Sequence, residues 1–184
     1  IVVDGEQKEI DVPAKIINNR TLIPLRAISD AYECAVEWDS VLKTAKIYDI
    51  EFYNAPKSDF EGKFKYFSDI NFSQSGNTAS WKSGECVLTF EREESSDVQV
   101  DDGYLQDLEK GLSAFKSMTV DYVKKTTGKN IAEIKCYNKG KTIYYLYANK
   151  DGTAYNMALT VPDGAIDEDI CKLMYTLNNF KCTF

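Results

Sequence analysis

The sequence predicts an α+β protein in which a small N-terminal module of two β-hairpins and a helix precedes an antiparallel sheet covered by helices. Three observations predict this fold class. Short runs of alternating apolar and polar residues lie between turn-forming Gly, Asn, Asp and Pro residues, as in hairpin strands. Two segments, 102–115 and 166–179, instead carry apolar residues every three to four positions, as helices do. The 184 residues, 43% of them hydrophobic, suffice for one ordinary domain or two small ones.

The first fifty residues predict two hairpins around one helix. Asp4-Gly5 supplies the turn between strands at 1–3 and 9–12, because this dipeptide accepts a positive φ. Pro24 stands in the first turn of the following helix, where its missing N–H is harmless. The second hairpin joins strands at 36–38 and 44–48. We place this module at residues 1–52.

Three strings in the module carry a family resemblance. They are Asn-Arg-Thr-Leu-Ile-Pro-Leu-Arg-Ala-Ile at 19–28, Val-Glu-Trp-Asp at 36–39 and Lys-Thr-Ala-Lys-Ile at 43–47. In residues and in spacing they resemble the copper amine oxidase N-terminal-like domain, over about residues 1–50. Asn19 and Glu33 depart from the family, which commonly has glycine at both positions. A left-handed cap at Glu33 would cost roughly 1 kcal/mol, so we expect a remodelled helix end.

The resemblance implies a small module of secreted or wall-associated bacterial proteins, usually joined to other domains. It does not imply amine oxidation. The catalytic domain of such oxidases uses three histidines on copper and a tyrosine-derived quinone, and this chain contains no histidine. The same absence removes Ser-His-Asp and Cys-His pairs and imidazole metal sites. The sequence contains neither a GxGxxG nor a phosphate-loop pattern, so it gives no indication of a nucleotide cofactor.

A linker is predicted at residues 53–62, where turn formers and Pro56 separate two apolar runs. The aromatic residues around it would either dock the two domains on each other or enter the core of their own domain. They are Phe52, Tyr53, Phe60, Phe64, Tyr66 and Phe67.

The remainder, residues 63–184, predicts an antiparallel sheet with a central helix and a C-terminal helix. The order of its elements resembles the PsbP-like group of α/β/α proteins, which would imply an extracytoplasmic accessory or binding fold. Strands are predicted at 66–72, 78–82, 85–91, 133–138 and 141–148.

The turn after 141–148 decides which side chains share a face of that sheet. A three-residue loop over Asn149-Lys150-Asp151-Gly152 would set Tyr147 opposite Tyr155 and keep the large apolar side chains together. A two-residue Asp-Gly loop would shift the register and divide them. We expect the first arrangement, with a sheet covered on both sides.

The five cysteines contain no CxxC pair, which excludes zinc ribbons and thioredoxin-type sites. Cys86 and Cys136 alternate with apolar neighbours, which is typical of buried free thiols; a disulfide is the other possibility, and catalysis is a remote one. No pairing can be assigned among Cys34, Cys86, Cys136, Cys171 and Cys182.

Charged and aromatic residues suggest few specific sites. The net charge of −7, without a basic cluster, argues against nucleic acid, and no apolar run is long enough to span a membrane. The acids at 163–169 are expected to cap a helix rather than bind calcium, and those at 97–102 to form a solvated loop. Trp38 is expected in the core, whereas Trp81 fits a core position and a ligand platform equally. The chain begins at Ile1 inside a strand-like segment, which suggests a mature or excised chain.

We therefore expect a non-catalytic, secreted or cell-envelope-associated binding or scaffolding protein of a Gram-positive bacterium, extracellular or attached to the cell wall. Its partner would be a cell-wall polymer or another envelope protein, and the N-terminal module could join chains into an oligomer. No catalytic, metal-binding or cofactor-binding residue is predicted, and no ligand-binding residue is singled out. The competing hypothesis is a carboxylate-based hydrolase of wall glycan or peptide, because two spaced acids suffice for that chemistry and the chain has 29.

Overall fold

A computed structural model describes residues 2–3, 6–7, 13–32, 34–39, 44–62, 64–94, 98–126 and 129–183. The chain divides into two compact units, Ile1–Ala55 and Pro56–Phe184. Strands dominate over helices in the described part, so the fold is α+β but mostly β.

The described residues of the first unit form three two-stranded hairpins and two short helices. Its elements are β1 (Val2–Val3), β2 (Glu6–Gln7), β3 (Lys15–Ile17), β4 (Arg20–Leu22), α1 (Leu25–Ala31), β5 (Cys34–Asp39), β6 (Thr44–Asp49) and α2 (Ile50–Asn54). Asn18 and Asn19, with φ of 50° and 58°, make the tight turn between β3 and β4. The predicted strand at 9–12 lies outside the described residues, as do the Asp4-Gly5 turn and Glu33, where we expected a remodelled helix end.

Trp38 of β5 is 63% exposed, so its predicted place in the core is wrong. The reason is architectural. Among the described residues β5 pairs only with β6, and the short helix α1, which packs against β5, leaves Trp38 uncovered.

The second unit is built on a seven-stranded antiparallel sheet, with strand order β12-β13-β14-β15-β11-β10-β9. Its elements are β7 (Lys57–Phe60), β8 (Phe64–Phe67), β9 (Asn71–Ser75), β10 (Thr78–Ser83), β11 (Cys86–Glu94), α3 (Asp102–Ser113), β12 (Met118–Lys125), β13 (Ile131–Asn138), β14 (Lys141–Lys150), β15 (Thr153–Pro162) and α4 (Asp167–Thr183). The single strand predicted at 66–72 is divided between β8 and β9 by a turn. The PsbP-like comparison is not confirmed and stays a prediction.

The segment predicted as a linker, 53–62, holds the end of α2 and the whole of β7. β7 pairs with β8, so the segment has regular structure. Phe60 is buried, and its ring meets that of Trp81 edge-on at 5.2 Å between centroids. The turn formers at 53–56 mark the boundary, and the apolar residues after them belong to the core of the second unit.

One face of the sheet, which we call the α4 face, is covered over β10, β11 and β15. Helix α4 and the β7–β8 hairpin pack on it, and its core includes Trp81, Leu88, Phe90, Met157, Leu159, Leu173, Leu177 and Phe180. Trp81 has no exposed surface, so it is a core residue and not a ligand platform.

The β14–β15 hairpin has the register that we did not expect. Asp151 and Gly152 have φ of 53° and 77° and form a two-residue loop, with Lys150 opposite Thr153. Positive φ at both positions gives a two-residue turn whose twist matches the twist of the two strands, so this turn can join them without a longer loop. Tyr147 consequently lies opposite Asn156, and Tyr145 and Tyr147 project from the face opposite to that of Met157 and Leu159.

The second face, which we call the α3 face, is covered at one end only. Helix α3 packs beside β12, and no residue of α3 is fully buried. The expectation of a sheet covered on both sides is therefore wrong for the part formed by β9, β10 and β11. The large side chains that would attract a second layer there lie on the α4 face instead.

Candidate functional site

A cleft of about 730 Å³ lies between α3 and the uncovered part of the α3 face. We call it the tyrosine cleft, because Tyr104, Tyr145 and Tyr147 line it. The other lining residues are Ser73, Gln74, Ser75, Thr78, Ala79, Ser80, Thr89, Phe90, Glu91, Leu108, Leu112, Ile134, Leu146, Asn156, Met157 and Ala158.

Two adjacent rows of cross-strand neighbours form the floor of the tyrosine cleft. The first row is Ser80, Thr89, Ala158, Tyr145 and Ile134, from β10 to β13. The second row, one pleat further along, is Thr78, Glu91, Asn156 and Tyr147. The first row passes from the hydroxyls of Ser80 and Thr89 to the larger side chains of Tyr145 and Ile134. The second passes from Thr78 through the carboxylate and amide of Glu91 and Asn156 to Tyr147.

The apolar wall comes from α3. Tyr104, Leu108 and Leu112 recur at every fourth residue, which places them on one side of the helix above the sheet. The ring of Tyr104 packs against that of Tyr147 with 5.3 Å between centroids. Asp101 caps this helix by accepting a 2.8 Å hydrogen bond from the Tyr104 N–H.

The polar wall is formed by hydroxyls of β9, β10 and β11. The Oγ atoms of Ser73 and Ser80 lie 3.3 Å apart, and Thr89 donates to the Ala158 carbonyl at 3.3 Å. Thr78 donates to the Ser75 carbonyl at 2.8 Å. These side chains are held by the sheet itself, so the polar wall is preorganised.

Glu91 carries the single carboxyl group among the described lining residues, which include no lysine or arginine. The side chains of Glu91 and Asn156, neighbours on the floor, make no hydrogen bond to another described residue. They therefore offer a carboxylate and an amide to a ligand.

Two of the tyrosines are held as neutral phenols. Burial, with a smaller contribution from Tyr147, raises the pKa of Tyr104 to about 12. Burial also raises the pKa of Tyr145, and nearby Cys136 adds to that effect. At neutral pH both hydroxyls keep their protons and can donate a hydrogen bond.

The acids considered for calcium have structural roles. Asp167, Glu168 and Asp169 stand in the first turn of α4, where the helix dipole favours negative charge. Asp163 accepts a 2.9 Å hydrogen bond from the Tyr137 hydroxyl. Over the described ranges, no three acids or cysteines gather as metal ligands. None of these acids lines the tyrosine cleft.

Cys86 and Cys136 are buried, in agreement with the prediction of buried thiols. Burial, with a smaller contribution from Asp169, raises the pKa of Cys86. Cys34 and Cys171 are also free thiols, and Cys171 is exposed. The side chain of Cys182 lies outside the described residues.

A buried carboxylate ties the C-terminal end of α4 to the sheet. Glu133 accepts hydrogen bonds from Lys181 at 2.7 Å and from Thr126 at 2.5 Å. Burial acts to raise the pKa of Glu133, but these hydrogen bonds and the charges of Lys181 and Lys124 outweigh it and lower the pKa. This cluster is on the α4 face and stabilises the fold.

Sequence reasoning did not find the tyrosine cleft, although it considered two of its tyrosines, Tyr145 and Tyr147 of β14. In the expected register those residues pack under a helix with Tyr155. A signal was nevertheless present, because the two-residue Asp-Gly turn is a strong hairpin feature and would have moved Tyr145 and Tyr147 to the other face. Among the described residues, no helix is long and apolar enough to cross a membrane.

Comparison with known proteins bears on the first unit. Residues 1–51 match the family model for the copper amine oxidase N-terminal domain, which confirms the resemblance seen in the sequence. No curated protein matches the chain. A crystal structure from Bacteroides thetaiotaomicron at 1.50 Å resolution is similar at 15% identity and a TM-score of 0.31, over 62% of this chain and 44% of that chain. This chain thus spans less than half the length of that structure, and a likeness at this level identifies no fold.

Proposed function

We propose that this protein is a non-catalytic, secreted or cell-envelope-associated binding protein, and that the tyrosine cleft is its ligand site. The observation that carries the proposal is the cleft of about 730 Å³, with an apolar wall on α3 and a hydroxyl wall on the sheet. Sites for small ligands or ligand segments are concave and mostly apolar, with a few placed polar groups.

Charge favours an uncharged ligand. Glu91 is the single charged side chain among the described lining residues, and the chain carries a net charge of −7. An anionic polymer would be repelled by both. The partner that suits this cleft is an uncharged segment of an envelope component.

The same lining favours binding over hydrolysis. Glycoside hydrolysis uses two carboxyl groups across the scissile bond, and the described part of the cleft carries one. The hydroxyls of Ser73, Ser80 and Thr89 pair with one another or with a carbonyl, and no described side chain acts on them as a base.

The location rests on the first unit. This unit matches the copper amine oxidase N-terminal domain, and that resemblance implies a module of secreted or wall-associated bacterial proteins. In this proposal the first unit is an accessory module and the second unit binds the ligand.

Co-sedimentation with isolated Gram-positive envelopes tests the proposal. The fractions are complete envelopes, walls stripped of secondary polymers, and the extracted membrane lipids as vesicles. We expect saturable pelleting with at least one fraction, and a loss of roughly tenfold or more for Thr89→Lys, whose exposed position on the floor places a long cation in the cleft.

Thr119→Lys is the matched control, because Thr119 is exposed on β12 of the same sheet and does not line the cleft. Its pelleting should equal that of the unaltered protein. An absence of pelleting with all fractions would rule out envelope binding. Equal loss for the two lysine variants would rule out the cleft as the site.

A further inference from the structure

The two faces of the second unit's sheet are filled very differently. On the α4 face, α4 buries Leu173, Leu177 and Phe180 completely or nearly so. On the α3 face, the corresponding side chains of α3 are Tyr104, Leu108 and Leu112, and each of them is only half-buried. The apolar side of α3 faces the sheet but does not pack tightly against it, so a space remains between them. Protein interiors rarely contain a space of this kind.

The space beside α3 suits an apolar occupant rather than ordered water. Leu108, Leu112, Ile134 and Ala158 surround it, and they offer no polar atoms from their side chains. A buried water needs two to four polar partners, which these side chains do not supply. A ligand with a flexible hydrocarbon part would instead cover this apolar lining, and the removal of apolar surface from water would favour its binding.

The open end of the cleft suits an uncharged polar group that can both donate and accept hydrogen bonds. Asn156 supplies an amide with both functions, and Glu91 beside it accepts only. The hydroxyls of Ser73, Ser80 and Thr89 extend this polar wall across three strands. A carboxylate or phosphate at this end would face Glu91 without a cation among the described lining residues.

We propose that the tyrosine cleft binds an uncharged single-chain amphiphile, with its hydrocarbon chain under α3 between Leu108, Leu112 and Ile134 and its hydroxyl-bearing head group against Asn156 and the Ser/Thr wall. This inference rests on the proposed binding function and names the ligand class for the same cleft. It differs from binding of a bare glycan, which would use the polar wall and leave the leucine side of the cleft unfilled.

The test is calorimetric titration of the full chain with three probes. They are dodecyl maltoside below its micelle concentration, maltose as the head group alone, and sodium dodecanoate as a charged amphiphile with a similar hydrocarbon chain. We expect saturable one-to-one binding of dodecyl maltoside, no measurable binding of maltose, and binding of dodecanoate weakened by roughly tenfold or more.

Variants of α3 test where the hydrocarbon chain of the ligand lies. Leu108→Gln keeps a residue that favours helix but places an amide under the helix. We expect this variant to raise the Kd for dodecyl maltoside by roughly tenfold, which corresponds to the loss of about one buried leucine side chain. Leu108→Met should restore binding, because it is apolar and of similar volume. Phe115→Gln is the matched control, since Phe115 is 62% exposed and lies outside the cleft.

Each contrary outcome is decisive. If maltose bound as tightly as dodecyl maltoside, the claim that the cleft binds a hydrocarbon chain would be wrong, while the proposed binding function would stand. If dodecanoate and dodecyl maltoside bound with equal affinity, the claim that the cleft prefers an uncharged head group would be wrong. No binding of dodecyl maltoside would overturn this inference, and the envelope co-sedimentation would then decide separately whether the proposed function also fails.

Discussion

Tyr104 of α3 and Tyr147 of β14 pack ring against ring with 5.3 Å between their centroids. This pair joins the helix to the sheet at the edge of the tyrosine cleft. Because no residue of α3 is fully buried, the position of the helix depends on such half-buried contacts. The same pair thus contributes both to stability and to the shape of the proposed site.

The coupling between these two tyrosines can be measured by a double-mutant cycle. We expect Tyr104→Ala and Tyr147→Ala to be non-additive in the free energy of unfolding by about 1 kcal/mol, which is the usual contribution of an aromatic pair beyond burial. Urea unfolding of the four proteins measures it. Additive effects would mean that α3 is not anchored by this pair.

Titration of the phenols provides a second test of the cleft. Since burial and Tyr147 raise the pKa of Tyr104 to about 12, alkaline ultraviolet titration should show a phenol that ionises near that pH. We expect Tyr104→Phe to remove this step. Tyr147→Phe should move it to lower pH, because a neighbouring group that raises the pKa is gone. A spectrum unchanged by Tyr104→Phe would contradict the assignment.

The buried carboxylate of Glu133 predicts a loss of stability in acid. Its pKa is lowered in the folded protein, so its contribution is complete above the ordinary pKa of a glutamate and is lost as the pH falls through the lower folded value. We expect Glu133→Gln to reduce the free energy of unfolding at neutral pH by roughly 3 kcal/mol, because Lys181 loses its buried partner.

The measurement for Glu133 is urea unfolding at a series of pH values. The variant should also show a flatter dependence on pH in the acid range than the unaltered protein. Glu109→Gln, at an exposed position of α3, is the control and should change neither quantity. If the free energy of unfolding of Glu133→Gln depended on acid pH as strongly as that of the unaltered protein, groups other than Glu133 would be responsible for the loss of stability in acid.

The turn between β14 and β15 can be tested with two glycines. Gly152 has φ of 77° and open space around it, so Gly152→Ala should cost about 1 kcal/mol of backbone strain alone. Gly111 lies within α3, also with open space, and Gly111→Ala should stabilise by roughly 0.5–1 kcal/mol. Thermal unfolding compares them, and a neutral Gly152→Ala would contradict the two-residue loop.

The two tryptophans should report opposite environments. Trp81 is fully buried and Trp38 is 63% exposed, so quenching by acrylamide should act mainly on Trp38. We expect Trp38→Phe to leave a protein whose fluorescence is poorly quenched and Trp81→Phe to leave one that is strongly quenched. Equal quenching of the two variants would show that Trp38 is covered in solution.

Local signals in the sequence were enough for the two helices of the second unit and for most of its central strands, but not for β7 or β12. The helices predicted at 102–115 and 166–179 correspond to α3 and α4 within a few residues, because periodic apolar positions and acids in the first turn are properties of the segment itself. Buried Cys86 and Cys136 followed from alternation in the same way. The N-terminal module was recognised from its own strings of residues.

Only the tertiary structure decided what those elements do together. Side chains alternate along a strand, so one residue of register across Asp151-Gly152 determines whether Tyr145 and Tyr147 join Met157 in the core or turn to α3. The sequence indicated both helices and most strands of the second unit, but its apolar pattern was compatible with both registers of the β14–β15 hairpin. The pairing with β11 and β13 and the packing of α4 on one face selected one register, and the tyrosine cleft exists because of that choice.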